Sequence, residues 1–275
     1  MEYGTLTSLK KVISASMNIS IQASGNKPCS RAQSIACDFL LKNTLAAVSI
    51  WGLINPRNLE EFGIGKNKIV HDFPSALVLV RTLFEGYINM YYLLVNPKSD
   101  EERDFRLFIW ERHALLERQK MGKIRGSTHD KLAEEKNKIQ QLTEKITSSN
   151  YFKKLSKPNE KWIRKEKEWT ETSVFERADI AEIDRSQYKF IYKFLSNYVH
   201  SEAYALMQIS SIQSPNTASS FMKIPLQYTE MFLSLTLSVT KSIVPVAQGC
   251  IGSDKILCKI IDYSEDLKKC DFKDF

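Results

Sequence analysis

Between Ser75 and Val95 the chain reads SALVLVRTLFEGYINMYYLLV, and nearly every position is apolar or aromatic. A helix of that sequence has almost no polar face to turn to water, so it must be buried on most sides. Residues 29–54 form a second long stretch, with apolar side chains at three-to-four spacing until Asn55-Pro56 ends it. Breakers are scarce elsewhere, with 10 glycines and 8 prolines in 275 residues. Sheet folds need both residues at their many turns, and a nucleotide-binding α/β fold needs glycine beside phosphate. The sequence therefore predicts an all-α helical bundle, one domain over residues 1–275.

Punctuation sets the helix ends. Asp72 caps a helix with Pro74 in its first turn, and that helix runs to about Val95. Ser99 with Glu102 is a capping box that opens the next helix, to about Met121, where Gly122 and Gly126 break it. Another begins near Thr128, with Leu132, Ile139, Leu142 and Ile146 as a narrow apolar seam. Asp184 caps a helix through Val199, residues 224–248 form one interrupted near Pro245, and Ser253 caps a short last helix.

The net charge of +7 is unevenly placed. Glu117 to Trp169 holds 15 Lys/Arg against 8 Asp/Glu, so this stretch carries the whole excess. It reads as a basic helical hairpin, 117–169, inserted in the bundle and protruding from it. Such a segment suits a polyanion, nucleic acid or an anionic membrane surface, and equally suits a solvated face kept soluble by charge. Lys153, Lys154, Lys161, Arg164, Lys165 and Lys167 are the candidate phosphate contacts. Trp162, with Trp169, either stacks on unpaired bases or packs the hairpin onto the body.

Five cysteines without a C-x-x-C pair fit a reducing compartment. The N-terminus lacks the pattern of a secretory signal, and no run of about 18 uncharged apolar residues occurs. A cytoplasmic protein with no membrane partner is expected. Gly65-Lys66 lacks the remaining residues of a phosphate loop, and no G-x-S-x-G elbow is present. The histidines His71, His113, His129 and His200 never fall three or four apart, the spacing that places two ligands on one helix face. No metal and no cofactor is expected.

Two polar sets interrupt apolar helices. Arg81 and Glu85 lie one turn apart between Ser75 and Val95, and an unpaired charge there would cost several kcal/mol. They form either a structural ion pair or an anion-binding arginine oriented by its glutamate. In residues 188–202 (YKFIYKFLSNYVHSE), Tyr192, Ser196 and His200 recur every four residues on one face. His200 is either a proton shuttle or a partly buried histidine satisfied by Ser196 or Glu85. If the two helices pack side by side, a cation and a proton shuttle share one pocket. That suffices to cleave RNA without metal, the substrate's 2′-hydroxyl attacking while Arg81 stabilises the phosphorane.

At these residues the sequence resembles an uncharacterised bacterial family of helical proteins, marked by Arg-x-x-x-Glu (Arg81, Glu85) and a later Ser-x-x-x-His (Ser196, His200), over roughly residues 70–245. More remotely it is similar to the HEPN superfamily of all-α bundles, common in bacterial immunity and toxin–antitoxin systems. That resemblance implies a HEPN-like core and a metal-independent ribonuclease or toxin-type effector, with phage defence as one setting. It also implies RNA as substrate, a homodimer, and a protein partner encoded nearby. Asn197 and His200 match the asparagine and histidine of the superfamily's motif. Its arginine is missing from this helix, where Leu195, Phe194 and Lys193 precede His200 by five, six and seven residues. Arg81 supplies that cation from another helix, or Lys193 does so poorly, or the bundle is a non-catalytic protein-interaction or nucleic-acid-binding module.

Overall fold

The computed structural model of the chain describes residues 3–25, 30–55, 57–58, 69–70, 72–125, 129–156, 162–163, 168–212 and 220–271. Twelve helices lie among the described residues: α1 (Leu6–Ser24), α2 (Arg31–Ile54), α3 (Phe73–Leu94), α4 (Asp100–Arg125), α5 (His129–Ser148), α6 (Asn150–Lys153), α7 (Val174–Ile180), α8 (Arg185–Val199), α9 (Ala203–Ser211), α10 (Lys223–Ile243), α11 (Pro245–Gly252) and α12 (Lys255–Leu267). The fold class is all-α. One two-residue antiparallel ladder, β1 (Arg57–Asn58) with β2 (Ile69–Val70), sets Arg57 opposite Val70. The chain divides into two compact units, Met1–Tyr91 with Arg177–Phe275, and Tyr92–Glu176.

In the first unit α10 packs along α2 and also touches α1, α11 and α12. Every α10 residue from Met231 to Leu237 is buried. Thr236 and Thr240 satisfy their hydroxyls within the helix by donating to the carbonyls of Phe232 and Thr236, at 2.8 Å each, whereas the Ser234 hydroxyl has no partner among the described residues. Asn43 of α2 ties two neighbours together. Its Nδ2 donates to Thr236 Oγ1 at 2.9 Å, and a Cβ on Gly86 of α3 would come within 2.5 Å of its Oδ1. Only glycine permits that approach.

α2 has the length and hydropathy of a membrane-crossing segment. In this structure Leu40, Ala47 and Ile50 are nonetheless fully buried, and the helix packs on α1 and α10.

In the second unit α4 and α5 run antiparallel, with Arg118 paired to Glu135 and Gln119 Nε2 bonded to the Leu132 carbonyl at 2.9 Å. Phe105, Ile109, Ile146, Phe152 and Ile163 form its core. The expected seam is visible in buried Leu142 and Ile146.

Two expected helix ends shift. α4 continues through Gly122 to Arg125, because one glycine costs a helix only about 1 kcal/mol. Asp254, not Ser253, caps α12: its carboxylate accepts from the N–H groups of Ile256 and Leu257. Ser253 is in the αR conformation and closes α11, whereas a capping side chain needs an extended backbone.

Candidate functional site

α8 is started by Asp184, whose carboxylate accepts from the N–H of Ser186 at 2.8 Å and of Gln187 at 3.1 Å. The Ser186 hydroxyl and these amides hold its carboxyl below the ordinary value. The same carboxylate also suits the positive end of the helix dipole. From that start, Tyr192 and Ser196 fall one turn apart on the helix face that meets Arg81 of α3.

The Arg81 guanidinium is clamped by three side chains. Nε donates to Glu85 Oε1 at 2.9 Å, Nη1 to Ser196 Oγ at 3.0 Å, and Nη2 to the Tyr192 hydroxyl at 3.0 Å. Its carbon lies 4.5 Å from the Tyr192 ring centroid, so the ring face adds a cation–π contact. Ser196 in turn donates to the Tyr192 carbonyl at 2.6 Å, which leaves its oxygen lone pairs facing the arginine. The Arg81 side chain is 15% exposed and that of Glu85 38%. A guanidinium has five N–H groups. Among the described residues, two of Arg81's five have no partner.

His200 is the residue at which α8 ends. Its backbone N–H donates to the Ser196 carbonyl at 3.0 Å. The next residue, Ser201, has φ of 53°, and the Glu202 N–H reaches back to the Asn197 carbonyl at 2.9 Å. This is a Schellman-type stop with serine in the left-handed position that usually holds glycine. His200, the last residue before this turn, is exposed. Asn197 is tied to its own helix, with Nδ2 donating to the Lys193 carbonyl at 2.9 Å.

The structure thus joins Arg81, Glu85 and Ser196 directly and adds Tyr192 to them. It places His200 one turn beyond Ser196, with no hydrogen bond from its ring to that cluster among the described residues. The expectation of a partly buried histidine satisfied by Ser196 or Glu85 is not met, because the Ser196 hydroxyl is spent on Arg81 and a carbonyl. The four-residue spacing that put Tyr192 on the face of Ser196 was the signal for its membership.

A protein family described as a family of unknown function, DUF5677, matches residues 70–216. The chain belongs to this family. No curated protein and no solved structure matches it. The DUF5677 region ends at 216 rather than near 245. It contains the whole Arg81–Glu85–Tyr192–Ser196–His200 set and leaves out α1, α2 and α10 to α12, the helices that supply much of the first unit's core.

The basic residues lie within the same family region, in the second unit. Lys153 and Lys154 are exposed at the end of α6. Trp162 is partly buried against the Phe105–Ile163 core, so its ring serves packing. Trp169 meets the Tyr92 ring edge-on with centroids 5.8 Å apart. Lys161, Arg164, Lys165 and Lys167 lie outside the described residues. No group of three or more metal-ligating side chains occurs among the described residues.

Proposed function

We propose that the chain is a HEPN-like, metal-independent ribonuclease, a toxin-type effector acting on RNA in the cytoplasm, with phage defence as its setting. The supporting observation is that α3 delivers Arg81 to Tyr192 and Ser196 of α8, a helix with no arginine after its first residue, one turn before an exposed histidine. Arg81 keeps two donors for a phosphate, and its other three contacts fix the guanidinium in place before substrate arrives. In the reaction, His200 takes the proton of a ribose 2′-hydroxyl as that oxygen attacks phosphorus. The P–O5′ bond breaks, and the departing oxygen takes a proton from solvent. The products are a 2′,3′-cyclic phosphate and a 5′-hydroxyl. Lys153 and Lys154 are the described cations suited to holding the RNA backbone elsewhere on the chain. A homodimer and a neutralising partner protein encoded nearby fit this class of effector.

The test is expression of the wild type and of His200→Ala and Arg81→Lys with cellular RNA followed by electrophoresis. The reading expects RNA degradation and growth arrest in the wild type alone. Degradation that persists in His200→Ala removes it.

One observation favours a second reading, a non-catalytic helical protein-interaction or nucleic-acid-binding module. Each of Arg81's three nitrogens already has a protein partner, as a structural clamp between α3 and α8 requires. Under that reading Arg81→Lys lowers the melting temperature, and no variant changes RNA integrity.

A further inference from the structure

The first unit contains a cavity of about 320 Å³ that shares no residue with the Arg81 cluster. It lies among the segment before α1 and helices α8, α10 and α12. Its volume is at the lower end of the range that holds ring-sized organic ligands. Four aromatic side chains line it, Tyr3, Phe190, Tyr228 and Tyr263. Tyr3 and Tyr263 are stacked, with centroids 4.1 Å apart and planes within 11°.

Among these rings sits a carboxylate. Glu230 is 3% exposed. One oxygen accepts from the Gly4 N–H at 3.0 Å and the other from the Ser8 hydroxyl. Both donors are neutral, and no lysine or arginine among the described residues pairs with Glu230. A carboxylate has about four acceptor positions, so Gly4 and Ser8 use two. Burial pushes this carboxyl above its ordinary value. Nearby on the wall, Gln187 is 2% exposed; its Nε2 donates to the Leu267 carbonyl at 3.1 Å, while its Oε1 has no partner among the described residues. Buried charges are normally paired, and orphaned buried acceptors are rare. Here a carboxyl group with no cationic partner and an acceptor with no donor, among the described residues, both line one aromatic-walled space.

We propose that this cavity binds a small organic cation, an ammonium or amidinium carried on an aromatic body. The ring lies against the aromatic walls, the charged N–H groups donate to Glu230, and the aromatic faces add cation–π attraction. Neither neutral donors alone nor an anion matches these walls. A neutral ligand leaves the carboxylate uncompensated, and an anion is repelled by it.

Calorimetry on the full chain with three probes of one shape, benzamidinium, benzamide and benzoate, tests this. Benzamidinium is expected to bind about tenfold or more tighter than benzamide, a difference of about 1.4 kcal/mol, with benzoate showing no heat. Glu230→Gln is expected to bring the first two probes to parity. Ile224→Trp fills the cavity from a half-buried wall position without touching Glu230, and is expected to abolish binding of both. Should Glu230→Gln fail to fold, the tryptophan variant decides. Equal binding of benzamidinium and benzamide, binding that survives Ile224→Trp, or no benzamidinium binding at about millimolar concentration overturns the proposal.

Discussion

Arg81 in the first unit and Arg106 in the second each sit one helical turn from a glutamate, and each lies over a tyrosine ring, 4.5 Å from Tyr192 and 4.2 Å from Tyr92. Their surroundings differ. Arg106 Nη1 donates to the Tyr92 carbonyl at 2.7 Å and to Asn96 Oδ1 at 2.9 Å, and Nη2 donates to Glu102. The Glu102 side chain is only 8% exposed. When Arg106 turns to a ligand, a backbone carbonyl and a buried carboxylate each lose a donor that solvent does not readily replace. Arg81 instead rests on two hydroxyls and a glutamate that is 38% exposed, groups that water or a phosphate can re-satisfy. The same pair of residue types thus makes a structural brace in one place and a candidate binding site in the other, and the difference lies in what the partners lose when the arginine moves.

The largest effect expected from that difference is on stability. Arg106→Ala takes the cation from a buried carboxylate and is expected to cost about 3–5 kcal/mol, read as accelerated amide exchange across α4 and α6. Arg81→Ala, whose partners reach solvent or re-pair more easily, is expected to cost about 1–3 kcal/mol, read across α8. Equal costs would erase the distinction between brace and site.

The next effect is on pH dependence, and it has opposite signs in the two units. Burial alone would raise the Glu102 carboxyl, but the Lys98 N–H and the Arg106 guanidinium outweigh it and hold it below its ordinary 4.5. Its contribution to stability is therefore present above pH 4.5 and lost as pH falls through the depressed value. Glu230 is raised by burial above its ordinary 4.5, so its contribution is present below pH 4.5 and lost as pH rises through the elevated value. Urea midpoints against pH are expected to show a shallower acid-side fall in Glu102→Gln. In Glu230→Gln they are expected to show a shallower decline above pH 4.5. Unchanged profiles in both would contradict the two environments.

The smallest effect belongs to Glu85→Gln. The pair with Arg81 is partly solvated, and such pairs contribute about 0–1 kcal/mol. A melting temperature within a few degrees of the wild type is expected, and a larger drop would show that Glu85, too, is part of a brace.

Much of this was legible because α3 is so apolar that its charges stood out. Arg81 and Glu85 announced themselves by spacing and by contrast. Arg106 and Glu102 have the same spacing, yet α4 is rich in charge, and nothing in DEERDFRLFIWER separates the buried pair from its solvated neighbours. Asp72 and Asp184 were readable as caps because each precedes an apolar-periodic run. The Ser253-Asp254 pair was not, since both residue types can cap and only the backbone chooses between them. The exposure of His200 was likewise hidden. The residue stands where the helix gives way to the left-handed Ser201 turn, a stop that a glycine would have advertised and a serine does not. The cavity beside Glu230 draws its walls from the segment before α1 and from α8, α10 and α12, and no local pattern could have joined them.

The most direct test of the central claim is the end chemistry of RNA incubated with purified protein in excess EDTA. The account predicts fragments ending in 2′,3′-cyclic phosphate, formed by the wild type and reduced at least about a hundredfold in both His200→Ala and Arg81→Lys, as expected for loss of a proton-transfer group or a charge-stabilising donor. Intact RNA with every protein, or fragments formed equally by the His200→Ala protein, would contradict it.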